Sequence, residues 1–183
     1  MQPFLIIIIG VVLLVIFIWS LYNGLITMAT QIEEAWSQID VQLKRRMDLI
    51  PNLVSSVKGY AKHEKTVFEN VTKARSAMMK AESPEQMAKA NDQLSGALKS
   101  LFAVAENYPQ LRANENFLQL QKEIGDTEDK VAYSRQFYNS TVMDYNVKVK
   151  VFPNVLLAGA FGFKEKPFFK TEEEERKSVK VEF

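Results

Sequence analysis

The sequence contains no cysteine, and this absence removes several classes of protein at once. Without thiols there is no disulfide framework, no thiolate metal site, no thiol nucleophile and no lipidated N-terminal cysteine. Glycine and proline are also scarce, with seven and six residues in a chain of 183. So few turn-forming residues leave little room for a β architecture built from many short strands.

An excess of charge of one sign is missing too, because 23 Lys and Arg face 22 Asp and Glu. Without a basic block, the attraction to phosphate that underlies nucleic-acid binding is absent, and we expect no nucleic-acid partner. The single histidine, His63, is too few for a carboxylate-bridged metal centre in a helical bundle. A zinc-protease helix would need a second histidine where Val67 stands. We therefore expect no metal and no cofactor, and a structural role for His63 in a turn between the first two body helices.

The charges that are present begin only at residue 33, after a long apolar run. Residues 3–22 form a stretch that, as a helix, would be about 30 Å long and could cross a bilayer. Trp19 and Tyr22 stand at its end, where aromatic rings favour the headgroup level. A cleavable signal peptide is disfavoured, since neither a basic N-terminal region nor an A-x-A site is present. We predict a single-pass cell-membrane protein with a transmembrane anchor over 1–24 and the lipid bilayer as partner. The lack of basic residues before the span weakly favours N-out with a cytoplasmic body.

Beyond the anchor, apolar residues recur at spacings of three and four through residues 25–150, which predicts four long amphipathic helices. Ser83 at an N-cap, Pro84 at the first helical position and Gln86 three residues after the cap mark the clearest helix start. Short connections favour antiparallel neighbours, so the predicted fold is all-α, with the N-terminal transmembrane helix followed by a long up-and-down four-helix bundle. The apolar stripes comprise Ile32, Trp36, Ile39, Leu43, Ile50, Leu53, Val57 and Tyr60; Val67, Val71, Ala74, Met78 and Ala81; Met87, Leu94, Leu98, Leu101 and Ala105; and Phe117, Leu120, Ile124, Val131, Tyr138, Val142, Tyr145 and Val149.

The last 33 residues differ from the bundle. Residues 151–170 are apolar and aromatic, and their apolar run is too short to span a membrane. We interpret them as an irregular cap that packs on the end of the bundle; a segment that docks on the membrane surface or on a partner is the alternative. Residues 171–183 form a charged C-terminal tail whose last six residues alternate as an exposed strand would.

Two charges fall on the predicted buried faces. Counting alternately by four and three from Ile32 places Arg46 on the seam of the first body helix, and counting from Phe117 places Glu128 on that of the fourth. In antiparallel neighbours the two would lie level and could pair. Alternatively, Met47 and Thr127 occupy the core positions and both charges point outward.

Several segments resemble one family. Arg45-Arg46-Met47-Asp48-Leu49-Ile50-Pro51-Asn52-Leu53-Val54 followed by Val57-Lys58-Gly59-Tyr60 closely resembles the LemA family. Ala113 to Phe117, Tyr138-Asn139, Phe152-Pro153 and the stretch from Ala158 to Phe163 are similar to that family in order and spacing. The resemblance extends from the anchor to about Phe169. It implies a bacterial-type single-pass membrane protein with a four-helix bundle and no established enzymatic activity. Some relatives are linked with membrane-bound proteases or with the formation of membrane organelles.

No catalytic constellation is evident. Ser55 and Lys58 match an S-x-x-K pattern, but at this spacing on a helix they are more simply an exposed polar patch. We therefore predict a non-enzymatic, membrane-anchored scaffold or adaptor that presents surfaces to membrane proteins, possible proteases among them, or to copies of itself as a homo-oligomer. The alternative is a hydrolase or ligand-binding enzyme with an unrecognised site between the helices.

Overall fold

A computed structural model describes residues 2–170, and every regular element within this range is a helix. The predicted tail, residues 171–183, lies outside the described residues. The prediction of an all-α chain, with a long apolar helix at its N-terminus and further helices after it, is confirmed. The helices are α1 (Gln2–Lys58), α2 (Lys65–Met79), α3 (Pro84–Ala105), α4 (Pro109–Arg112), α5 (Glu115–Lys150) and α6 (Asn154–Phe161).

Helix α1 contains both the apolar run and the first body helix. It passes Asn23-Gly24 without ending, because two poor helix formers do not outweigh strong helix formers on both sides. It also contains Pro51, which removes only one backbone hydrogen bond. Residues 59–64, including the exposed His63, form the connection to α2, where the sequence predicted a turn.

The ends of the body helices follow from local hydrogen bonding. At the start of α3 the Ser83 hydroxyl accepts a hydrogen bond from the Gln86 amide at 3.2 Å. The Gln86 side chain accepts one from the amide of Glu82 at 3.0 Å, so two donors at the helix start are satisfied. At the start of α5 the Asn114 side chain accepts from the Phe117 amide at 3.1 Å. The Ser83 cap places the start of α3 where the sequence predicts it, and the Asn114 cap fixes the start of α5.

The chain divides into two compact units. Among the described residues, unit 1 contains residues 2–37 and 136–167, and unit 2 contains residues 38–135 and 168–170. In unit 2, residues 38–58 of α1 and 115–135 of α5 pack with α2 and α3 around one apolar core. Its buried side chains include Ile39, Leu43, Ile50, Leu53, Val57, Phe68, Val71, Met78, Leu94, Leu98, Leu101, Phe117, Ile124 and Val131.

Within unit 2, α1 and α5 run antiparallel. The Asn114 amide lies 3.5 Å from the Tyr60 hydroxyl, and the Arg46 guanidinium lies 3.4 Å from the Glu128 carboxylate. The two contacts are fourteen residues apart on each helix and progress in opposite directions along the chain. Antiparallel pairing of the first and last body helices is what an up-and-down bundle requires.

In unit 1 the part of α1 that ends at residue 37 packs against the part of α5 that begins at residue 136. Trp36 and Tyr138 contact each other with ring centroids 5.6 Å apart, and Leu25, Ile32 and Tyr145 are buried between the segments. Residues 151–170, expected to be irregular, contain α6, which begins after a cis Phe152–Pro153 peptide bond and ends at Gly162. Gly162 has a φ of 75°, a left-handed conformation that glycine adopts without steric penalty. The run of apolar helix formers between the proline and this glycine is long enough for two helical turns.

We expect the Ser83 cap to stabilise the start of α3 measurably. Replacing Ser83 with alanine leaves the Gln86 amide without its acceptor and should lower the free energy of unfolding by about 1 kcal/mol. Ser83→Asp, which keeps an acceptor, should cost much less. Urea unfolding of the detergent-solubilised chain, followed by circular dichroism, measures both. Ser100→Ala is the matched control, because Ser100 lies inside α3 and its hydroxyl donates to the Gly96 carbonyl of the same helix. Equal losses for Ser83→Ala and Ser100→Ala would contradict the assignment.

Candidate functional site: a buried arginine layer

The most unusual group in the core of unit 2 is the side chain of Arg46. It lies on α1 midway between Ile39 and Leu53, seven residues from each, on the same buried face. The residue as a whole is 0% exposed, and Arg46 has the largest side chain among those fully buried in the described residues. Arginine is almost never fully buried unless it is paired, so its neighbours determine whether this layer can exist.

The partners of Arg46 come from two other helices. Nη1 donates a hydrogen bond to Oδ1 of Asn91 on α3 at 2.9 Å, and Nη2 forms an ion pair with Oε2 of Glu128 on α5 at 3.4 Å. One guanidinium therefore connects three of the four long helices. Its Nε and the amide oxygen of Gln42, one turn earlier on α1, are buried without a hydrogen-bond partner in the described residues.

Two electrostatic effects act on the charged form of Arg46 in opposite directions. Burial lowers the pKa of the Arg46 guanidinium, and the nearby Glu128 carboxylate opposes this shift by Coulomb attraction and hydrogen bonding. The two charges differ in exposure, since the Arg46 side chain is 1% exposed and that of Glu128 is 54% exposed. Glu128 therefore reaches the guanidinium from the surface and keeps much of its own hydration.

The predicted core position of Arg46 is confirmed, but that of Glu128 is wrong. On α5, Thr127 occupies the buried position and is 1% exposed. The buried face proceeds from Ile124 to Thr127 by a step of three, where the sequence count took a step of four. Thr127 is tolerated there because its hydroxyl donates to the Ile124 carbonyl at 2.7 Å, which satisfies the polar group locally. The alternative reading was thus right for Thr127, and Met47 is only half-buried.

Sequence reasoning missed Asn91, although a signal was available. The stripe of α3 has a gap of seven residues between Met87 and Leu94, and a continuous helical face needs a residue at position 90 or 91. Asn91 is 6% exposed and its amide oxygen accepts from Arg46. A polar residue in such a gap, on a helix facing a seam that carries an arginine, predicts a hydrogen-bond partner.

A second polar arrangement lies in unit 1 and was also not predicted. We use the term strap for residues 164–167, which follow α6 and lie along α5. Asn146 on α5 donates to the carbonyl of Lys166 at 2.9 Å and accepts from its amide at 2.8 Å. The Tyr138 hydroxyl donates to the Pro167 carbonyl at 2.9 Å, and burial raises the pKa of this phenol, which keeps it a donor. Lys150 and Glu165 add an ion pair at 2.7 Å.

The residues considered for catalysis are not brought together. Lys58 places its ammonium over the Phe68 ring, 5.4 Å from the centroid, and Ser55 is exposed. In the part of the chain that is described, no group of three or more His, Cys, Asp and Glu side chains could hold a metal ion. A cleft of about 590 Å³ beside Glu128 is lined by Asp92, Ser95, Gly96, Leu98, Lys99, Phe102, Ala103, Glu106 and Glu128.

These features define a class: an all-helical protein in which an apolar helix precedes a bundle with a polar layer in its core. The model of the LemA family matches residues 35–183, and the chain belongs to the LemA family. The chain is similar to magnetosome protein MamQ of Magnetospirillum gryphiswaldense, with 26% identity over 190 residues, 88% of this chain and 70% of that protein. It is also similar to protein LemA of Metamycoplasma hominis, with 28% identity over 161 residues, 86% of this chain and 72% of that protein. The apolar helix and these relatives together indicate location at a membrane.

The unequal exposure of Arg46 and Glu128 leads to an asymmetric prediction. Glu128→Leu leaves a buried guanidinium without its counter-charge and should lower the free energy of unfolding by about 2 kcal/mol, less than for a pair buried on both sides. Arg46→Met lets Glu128 return to water and leaves only the Asn91 amide unpaired, at a cost of about 1 kcal/mol. The double variant should unfold no more easily than Arg46→Met alone.

Urea unfolding of the three variants measures these differences as a double-mutant cycle. Glu123→Leu is a suitable control, because Glu123 lies on the same helix and its carboxylate accepts a hydrogen bond from Gln119, one turn earlier on that helix. Additive losses for Arg46→Met and Glu128→Leu would show that the two side chains do not stabilise each other.

Proposed function

We propose that this protein is a membrane-anchored, non-enzymatic scaffold or adaptor whose bundle presents surfaces to copies of itself and to other membrane proteins. Residues 3–22 are the anchor in this proposal, because they form an apolar segment of α1 long enough to cross a bilayer. The same helix continues into the bundle and supplies core residues there, among them Ile39, Leu43 and Leu53. Membrane attachment and the bundle surface are thus parts of one helix.

The observation that carries the proposal is a second apolar face on α5. Val142, Tyr145 and Val149 face the core of unit 1, whereas Met143 and Val147 lie on the opposite side, 52% and 53% exposed. Val151, 43% exposed, continues this outer face one turn beyond Val147. An ordinary surface helix has one apolar stripe, and a second contiguous stripe is typical of a contact surface.

The chemistry of the clefts supports a contact role over catalysis. The cleft beside Glu128 is lined by Ser95 and several carboxylates, but the single histidine of the chain, His63, lies in the α1–α2 connection. A serine nucleophile needs a base that accepts its proton, and among the described residues the Ser95 hydroxyl forms no hydrogen bond to a side chain that lines the cleft. The Arg46 guanidinium, the charged group in this core, is already bonded to Asn91 and paired with Glu128. No feature of the described residues therefore favours the hydrolase alternative.

Self-association should depend on the outer face of α5. We expect the full chain in detergent to form oligomers, and Val147→Lys to weaken them by about tenfold or more, because a charge would have to be buried in an apolar contact. Light scattering across a range of concentrations measures the assembly. Val41→Lys is the matched control, since Val41 is similarly exposed, at 58%, but lies in unit 2. A chain that is monomeric at every concentration would overturn the self-association part of the proposal.

We also propose that the bundle is cytoplasmic and the N-terminus is outside. The N-terminal flank carries no basic residue, whereas Lys148, Lys150 and Lys164 belong to unit 1 together with the end of the apolar run. Lysines near a span favour the cytoplasmic side. In a Met79→Cys variant, whose thiol is unique in the chain, a membrane-impermeant maleimide should label spheroplasts only after permeabilisation. Labelling of intact spheroplasts would reverse the orientation.

A further inference from the structure

Helix α6 has two faces of different character. Asn154 and Ala158, one turn apart, are 3% and 5% exposed and face the rest of unit 1. The opposite face is apolar and uncovered: Leu156 is 66% exposed, Val155 is 43% exposed, and Phe152 just before the helix is 78% exposed. No charged side chain occurs between Lys150 and Lys164. A helix of eight residues with such an outer face would be poorly placed in water.

Aromatic contacts place α6 beside the end of the apolar run. The ring of Tyr22, the last residue of that run, contacts the ring of Phe161 at a centroid distance of 5.0 Å and that of Phe163 at 5.7 Å. Tyrosine at the end of an apolar span lies at the headgroup level. The C-terminal end of α6 is therefore next to the last residue of the apolar run.

The lysines around α6 are also near this level. Lys150 forms an ion pair at 2.7 Å with Glu165, which lies two residues after Phe163. Because the Phe163 ring contacts Tyr22, the end of α5 lies close to the end of the span. Lys164 directly follows Phe163, and Lys150 is 60% exposed on its side chain. Long cationic side chains at this level can reach anionic headgroups while apolar neighbours enter the bilayer.

We propose that α6 is an interfacial helix: Phe152, Val155 and Leu156 insert into the headgroup–acyl boundary of the bilayer that holds the anchor. The strap holds α6 in place through the Asn146 and Tyr138 hydrogen bonds, so the membrane contacts unit 1 at the span and at α6. A lipid surface is the occupant rather than a second protein copy, because the end of α6 contacts the last residue of the apolar span and lysines stand on both sides of the uncharged segment. This inference rests on the membrane location and is independent of the scaffold role.

Single-cysteine labelling tests the inference on the full chain in vesicles of phosphatidylcholine and phosphatidylglycerol. Nitroxide labels at Phe152→Cys and Leu156→Cys report depth from their relative accessibility to oxygen and to an aqueous nickel complex. Both positions are largely exposed within the chain, so the label should leave the fold intact, which circular dichroism checks. Leu13→Cys, in the apolar run, is the lipid reference, and Gln31→Cys, exposed on α1 in unit 1, is the aqueous reference.

We expect the labels at 152 and 156 to report depths about 5–10 Å inside the headgroup boundary, with oxygen favoured over nickel as at Leu13. Nickel accessibility equal to that of the Gln31 label would place α6 in water and overturn the inference. Low accessibility to both reagents would show that protein covers this face, which also overturns it. Either result leaves the self-association test at Val147 unaffected, so the two proposals can fail separately.

Discussion

A guanidinium inside an apolar core has to find polar partners, and this requirement limits how the helices of unit 2 can be aligned. Arg46 meets it with the Asn91 amide and the Glu128 carboxylate, which come from α3 and α5. Sliding either helix by one turn, about 5.4 Å, would break the corresponding contact and leave the charge desolvated. The leucine and isoleucine layers above and below could exchange neighbours at much lower cost, so the polar layer selects the register.

The layer achieves this selectivity without burying two charges. Only the arginine is removed from water, while Glu128 stays half exposed and the buried position beside it is occupied by Thr127, whose hydroxyl bonds within its own helix. Only the guanidinium therefore loses its hydration, and it is attracted to a carboxylate that keeps part of its own. The unpartnered Nε of Arg46 and amide oxygen of Gln42 are the residual cost of the arrangement.

Unit 1 differs from unit 2 in that it contains the apolar run. In this unit, the side chains of Asn146 and Tyr138 form hydrogen bonds with the backbone of the strap. The strap belongs to no helix or sheet, so these side chains supply partners for its backbone N–H and C=O groups. The strap in turn follows α6, whose aromatic residues contact Tyr22. Membership of the LemA family covers both units, since the matched region begins at residue 35 and includes the whole of α5 and α6.

The sequence by itself determined the apolar span, the stripes of the body helices and the Ser83 start, and it narrowed the core position to Arg46 or Met47. These features depend on spacing and capping within a few residues, which are local properties of a helix. Only the tertiary structure decided between Thr127 and Glu128, because steps of three and four are equivalent within one helix and the facing helix selects between them. The roles of Asn91 and Asn146 likewise follow only from the tertiary structure. A buried polar residue does not appear in the hydrophobic pattern, and its hydrogen-bond partner is distant in the chain.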